Sequence, residues 1–304
     1  MGKGYKTKNG VFNVNMCHLL CLIPIVLFSY YKNGYLVYKA HYMSLFGTLE
    51  YLIVPIIIVV ISYLFEIYYY VGIKKDRNFN NVVNSFSPFF NLLCYLVCGP
   101  SDALYIIVPL IFLIDVLMKW LDGKITINRV ALFKVLLFII LAIFGIYNNA
   151  NTLERINNVS IFTNTETFLG LSVGEIGVVS NIFVILSFFV LMLNKYYKKD
   201  IAITALITYG LFGIFYVLVG TITLNQFLNH TFSSGVLFAI VFILTLSDSS
   251  PVLGGGRKIY AILFGILVSI FVNIFEVYIG IYVIILVMSI ISPLINRLKI
   301  SIYK

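Results

Sequence analysis

The chain is a series of apolar runs separated by short polar connections. Ten runs stand out, at about 14–31, 51–73, 85–98, 103–118, 130–147, 174–194, 201–219, 231–247, 258–275 and 277–294. A membrane-crossing helix takes roughly 20 mostly apolar residues, and fewer where it is buried in a bundle. Only Gly99-Pro100-Ser101-Asp102 divides the third run from the fourth, and Glu276 is nearly all that divides the last two. Each of these pairs is a predicted hairpin. The longest connections, about 32–50 and 148–173, are too short for an independent domain. The pattern predicts an all-α polytopic membrane protein with a single transmembrane domain over 1–304.

Composition agrees. Of 304 residues, 61% are apolar and 11% charged, with a mean hydropathy of +1.01. No soluble domain of this size hides so much apolar surface. Charge then orients the runs. Alternate connections carry Lys3, Lys6, Lys8; Lys74, Lys75, Arg77; Lys119, Lys124, Arg129, Lys134; Lys195, Lys198, Lys199; Arg257, Lys258; and Arg297, Lys299, Lys304. The other connections carry only Lys32, Lys39 and Arg155. Positive loops stay in the cytoplasm, so both termini are expected there, in a bacterial plasma membrane. The formal charge of +9 reads as topology and affinity for anionic lipid, with no nucleic-acid partner. The first run follows three lysines but has no small-residue cleavage site, so it is expected to stay as a span. Tyr30-Tyr31-Lys32, Tyr68-Tyr69-Tyr70 and Tyr196-Tyr197 read as interfacial anchors. Ten spans divide into halves of five, about 14–147 and 168–297, with the outer loop 148–167 between them. Two halves of odd span number enter from opposite sides, which suggests an inverted repeat.

Four carboxylates are candidates for an ion path. Glu175 lies in Gly170-Leu-Ser-Val-Gly-Glu-Ile-Gly177, at the outer start of the sixth span, where free helix amides would stabilise it. Asp248 ends the eighth span in Ser247-Asp-Ser-Ser-Pro251, where pairing with the basic loop or a capped turn is the plainer reading. Glu66 and Asp115 fall inside spans two and four, where a charge costs about 2.5–3.5 kcal/mol on the insertion scale and calls for a cavity or a partner. Cys17 and Cys21 share a helix face, as do Cys94 and Cys98, but depth separates most of them and only for Cys21 and Cys94 does depth allow an approach. They read as apolar filler, so no metal cluster is expected. His18, His41 and His230 stand alone, and no nucleophile-base arrangement is visible. Gly254-Gly255-Gly256 lacks the spacing of a phosphate loop.

Several stretches, in order, resemble the RnfD/NqrB family. Its members are membrane proteins of the Rnf ferredoxin:NAD electron-transport complex and of the sodium-translocating NADH:quinone reductase. Gly170-Leu-Ser-Val-Gly-Glu-Ile-Gly-Val-Val-Ser180 is similar to the family's G-x-x-x-G-S-x-G-E-x-S turn with one residue fewer, which pins Gly174 and Glu175 to its Gly-Glu. Ser234 to Pro251 is similar to G-x-L-x-x-A-x-F-x-x-T-D-x-x-[TS]-[ST]-P, followed by Gly256 and Arg257. The ending Ser292-Pro-Leu-Ile-Asn-Arg297 resembles P-L-I-D. Glu66 with Lys74-Lys75 resembles the family's second-span Glu and basic loop, and Asn128 its Asn-Pro-Ala segment.

The resemblance implies a membrane component of a redox-driven Na⁺ or H⁺ translocase. Electrons would pass through partner subunits, both membrane and peripheral, since this chain has no nucleotide fold or cluster motif. It also implies a flavin, FMN or riboflavin, with Gly174 and Glu175 in the flavin-bearing region. The family esterifies FMN to the Thr of D-x-x-[ST]-G-A-T. Here the loop reads Tyr147-Asn-Asn-Ala-Asn-Thr-Leu153, with Thr152 one residue late and the Asp and Gly missing. A covalent bond is therefore not expected: either flavin binds without one, or the chain works without flavin. The alternative is a stand-alone solute channel or transporter with a urea-transporter-like fold. A membrane enzyme on lipid or polysaccharide has no catalytic constellation to support it.

Overall fold

A computed structural model describes residues 8–75, 79–100, 102–121, 126–145, 164–172 and 174–297. Every regular element among them is helical. Helix α1 (Lys8–Ser29) runs on through a π-helical stretch, Tyr30–Tyr35, and a last turn at Leu36–Lys39. Helix α2 (Leu45–Ile67) continues as Tyr68–Ile73 and is capped by Ser44, whose hydroxyl accepts from the Gly47 amide at 3.3 Å. Then come α3 (Phe79–Val83), α4 (Ser87–Leu96), α5 (Leu104–Leu121) and α6 (Arg129–Ile143). The second half holds α7 (Asn164–Leu169), α8 (Asn181–Leu193), α9 (Lys199–Val219), α10 (Leu224–Ser233), α11 (Val236–Phe238, extended by the π-helical Ala239–Ile243), α12 (Gly254–Asn273) and α13 (Ile279–Arg297).

Among the described residues, six helices are long and apolar enough to cross a bilayer: Met16–Lys39, Leu45–Ile73, Leu104–Leu121, Lys199–Val219, Gly254–Asn273 and Ile279–Asn296. Their outward faces stay apolar, with Ile53, Ile56, Val60 and Leu64 exposed on α2 and Leu211, Phe215 and Leu218 on α9. Such a surface requires lipid around it, and the chain is a multi-pass membrane protein.

Four expected spans are not among them: α6 with 15 residues and α8 with 13 are shorter, and two others have another form. The stretch at 85–98 is the ten-residue helix α4, with every residue buried. At 1.5 Å per residue it is about 15 Å long, half the hydrocarbon thickness. The stretch at 231–247 is broken: α10 and α11 meet at 55°. Gly235 makes the break with φ +78, and a Cβ there would strike Val178.

Helix α4 packs among α2, α5 and α6, while α9, α12 and α13 pack together in the second half. The closest approach of α12 to α9 depends on Gly265, where a Cβ would lie 2.8 Å from Thr208 Cβ and 3.1 Å from the Ala205 carbonyl. Helices α1 and α8 join the halves on one side, and α6 and α13 on the other. In the first contact Ser187 Oγ donates to the Cys21 carbonyl at 3.0 Å, and Cys21 Sγ lies 4.0 Å from the Ser187 carbonyl.

Gly235→Ala should lower stability by about 1–3 kcal/mol, because it combines left-handed backbone strain with the Val178 clash. Gly254→Ala, where a methyl meets open space, should leave it unchanged. Thermal unfolding of both variants in detergent checks the pair.

Candidate functional site

Helix α4 ends inside the bundle, so its last carbonyls need donors from elsewhere. Each carbonyl from Leu93 to Cys98 has one. Leu93 accepts from the Val97 amide, Tyr95 from the Cys98 amide, and Cys94 from the Cys98 thiol at 3.2 Å. The next three donors come from distant segments. The Gly177 amide reaches Leu96 O at 2.9 Å, the Lys134 ammonium reaches Val97 O at 2.6 Å, and the Ile176 amide reaches Cys98 O at 2.8 Å. Asn33 donates to the Ile176 carbonyl at 3.3 Å, and Lys32 to the Ser172 carbonyl at 3.4 Å. The extension of α1 thus holds the turn that meets α4.

Glu175 sits in that turn. Its Oε1 lies 2.6 Å from Lys134 Nζ, and its Oε2 accepts from the Tyr282 hydroxyl at 2.5 Å. Three predicted placements change. Lys134 is in the second turn of α6, inside the bundle, and is not a loop charge. Its ammonium needs acceptors, and the end of α4 with Glu175 provides them. Lys32 is fully buried, so only its neighbours Tyr31 and Tyr35 remain exposed. Glu175 is held by Lys134 and Tyr282 rather than by helix amides, because the Ile176 and Gly177 amides are committed to α4.

A second cluster lies at the other end of α4. Lys119 Nζ is 2.8 Å from Glu66 Oε1 and 2.9 Å from Asp115 Oδ2. Arg129 is 3.3 Å from Asp115 Oδ1, stacks over Phe90 at 5.0 Å, and reaches Ser87 Oγ at 3.5 Å. Both carboxylate side chains are 1% exposed, so two acids are balanced by two bases away from water. Helix α6 supplies a base to each cluster, Arg129 near the start of α4 and Lys134 at its end.

A model of the NQR2, RnfD, RnfE family matches residues 5–303. The chain belongs to this family. No individual curated protein matches it. Membership makes it a membrane component of a multi-subunit complex of the Rnf and Nqr type.

The stretches that resemble the NQR2, RnfD, RnfE family have structural work to do. Asn128 caps α6 by accepting from the Ala131 amide at 3.0 Å. Its side-chain nitrogen donates to the Ile243 carbonyl at 3.0 Å and to Ser249 Oγ at 2.9 Å, while its amide donates to Ser289 Oγ at 3.1 Å. It therefore ties α6 to α11, the following turn and α13. Tyr197 donates to Val241 O at 3.0 Å, so the carbonyls freed by the π-helical stretch are met by side chains. Asp248 is exposed and near its neighbour Ser247, whose hydroxyl donates to it at 3.4 Å. The basic loop pairs elsewhere: Arg257 with Asp200 at 3.3 Å, and Lys198 with Ser250 and Pro251.

Of the predicted residues, the structure joins Glu66 to Asp115 and leaves both apart from Glu175. Thr152, the candidate flavin residue, lies outside the described residues. Both Glu175 oxygens are committed, and a Cβ at Gly174 would meet Val179 at 2.5 Å. A cavity between the halves, lined by His18, Phe86, Phe89, Phe90, Tyr197 and Thr245, has about 30 Å³, room for about two waters. Lys119, Lys134, Arg129 and Tyr282 were not predicted as site residues. Lys119 was legible from its i,i+4 spacing to Asp115, and the others had no local signal.

Lys119→Met leaves Glu66 without its cation and should cost about 3–5 kcal/mol. Adding Glu66→Gln should restore part of that loss. A double-mutant cycle by thermal unfolding in detergent reads the coupling directly.

Proposed function

We propose that this chain contributes the ion path to a redox-driven translocase of Na⁺ or H⁺ and works only with partner subunits that carry the electrons. The observation that supports this most is the pair of charge clusters at the two ends of α4. Buried charge is expensive, and in membrane proteins it marks ion and proton routes. In this reading Glu66, Asp115 and Glu175 are stations on the path, and Asp248 stands at its exposed cytoplasmic mouth. A flavin site, FMN or riboflavin, would draw on the outer loop 148–167 and hold its ligand without a covalent bond, since the Asp and Gly around Thr152 are missing.

The same reading includes ten spans in two inverted halves, with both termini in the cytoplasm of a bacterial cell and basic loops against anionic lipid. Two features support the repeat. Each half carries an interrupted third element, α3 with the buried α4 and α10 with the buried α11. The first helices of the halves pack together, and so do the last. Counting Lys134 inside the bundle still leaves the basic residues strongly one-sided.

Purification from the native membrane should bring down other membrane and peripheral subunits, and the assembly should transfer electrons. A stable monomer that conducts a small neutral solute would establish the channel reading instead. Reporter fusions after Lys199 and Lys304 should both read cytoplasmic. A periplasmic signal at either would end the five-plus-five arrangement.

A further inference from the structure

We propose that Lys134 is a resident cation of the Glu175 site and that it makes the site pass protons and refuse Na⁺. This rests on the translocase reading above and names its ion.

The position that Lys134 occupies is the one a transported metal cation would need. In transporters with interrupted helices, Na⁺ binds where a half-helix ends inside the membrane, on freed carbonyls and a nearby acid. The end of α4 is such a place. It carries the partial negative charge of a helix C-terminus, the Val97 carbonyl, and Glu175 from the facing turn. The Lys134 ammonium already lies 2.6 Å from both Val97 O and Glu175 Oε1. Tyr282 takes the other oxygen of Glu175 at 2.5 Å. A hard metal ion needs several oxygen ligands at once, and here the acceptors are engaged by donors on the protein itself. Asp102 and the Cys98 thiol are the other titratable groups that act electrostatically on the pair. Asp102 is itself engaged, accepting from the Gly99 amide at 2.6 Å.

A proton needs no such shell. When one arrives at Glu175, the carboxylate becomes a neutral acid and its ion pair with Lys134 is lost. The ammonium keeps its bond to Val97 O and can swing on its four-carbon stem. When the proton leaves, the carboxylate and ammonium pair again. One proton enters and one leaves, and Lys134 keeps its charge throughout. Part of each side chain of the pair stays exposed, 14% of Lys134 and 20% of Glu175.

The test uses the whole complex, purified with its partners and reconstituted in liposomes. A chemically reduced donor drives it, while an enclosed pH dye and radioactive sodium report ion movement. The expected result is a pH gradient in Na⁺-free buffer, with sodium uptake no higher than in an uncoupled control. Sodium uptake coupled to turnover would overturn the assignment of the ion and leave the translocase reading intact. Electron flow that moves neither ion would overturn the translocase reading itself. Lys134→Gln should cut protons moved per electron by about tenfold or more, since Glu175 then keeps its proton. Lys134→Arg should restore most of it. If Lys134→Gln does not assemble, the charge-neutral double variant Lys134→Met with Glu175→Gln is measured instead. A normal proton-to-electron ratio in any assembled Lys134→Gln or double variant would overturn the proposal.

Discussion

A helix that stops halfway through a membrane has to place its terminal carbonyls somewhere other than water. That constraint organises this protein. Helix α4 is ten residues long, buried on every side, and ends with carbonyls that the bilayer cannot satisfy. The donors that meet them are the amides of Ile176 and Gly177, the ammonium of Lys134 and the thiol of Cys98. The turn before α8, the depth of Lys134 and the burial of Cys98 all follow from that need. Lys134 then requires a counter-charge, and Glu175 is placed to be it.

The same economy governs the other end of α4. Glu66, Asp115, Lys119 and Arg129 sum to zero charge, so neither acid is left alone in a low-dielectric interior. Both clusters depend on α6, and α6 is itself set by Asn128, which caps it and ties it to α11 and α13. A shift of α6 would disturb both sets of charges together. That linkage is a physical route by which a change at one cluster can reach the other. The second half repeats the theme with a different device. Its interruption at Gly235 and the π-helical stretch that follows free carbonyls at Val241 and Ile243, which Tyr197 and Asn128 occupy.

The membrane class, most helix positions and the family were legible from hydrophobic runs and a few ordered motifs. Those are local properties: an apolar run of sufficient length is a helix in lipid whatever surrounds it. The Asp115 to Lys119 pair was also local, one helical turn apart. The short form of α4 and the break at Gly235 were not, since an apolar run shows that a segment avoids water and says nothing of whether lipid or protein covers it. Lys134 was misplaced for a related reason. Near a helix start, a lysine belongs to the loop by charge counting and to the bundle only if an acceptor waits there. Tyr282 lies 107 residues from Glu175, and no pattern along the chain connects them. Sequence by itself determined which segments leave water. Tertiary structure decided which buried charges meet, because that depends on where a helix ends in three dimensions and which distant donors are close enough to satisfy it.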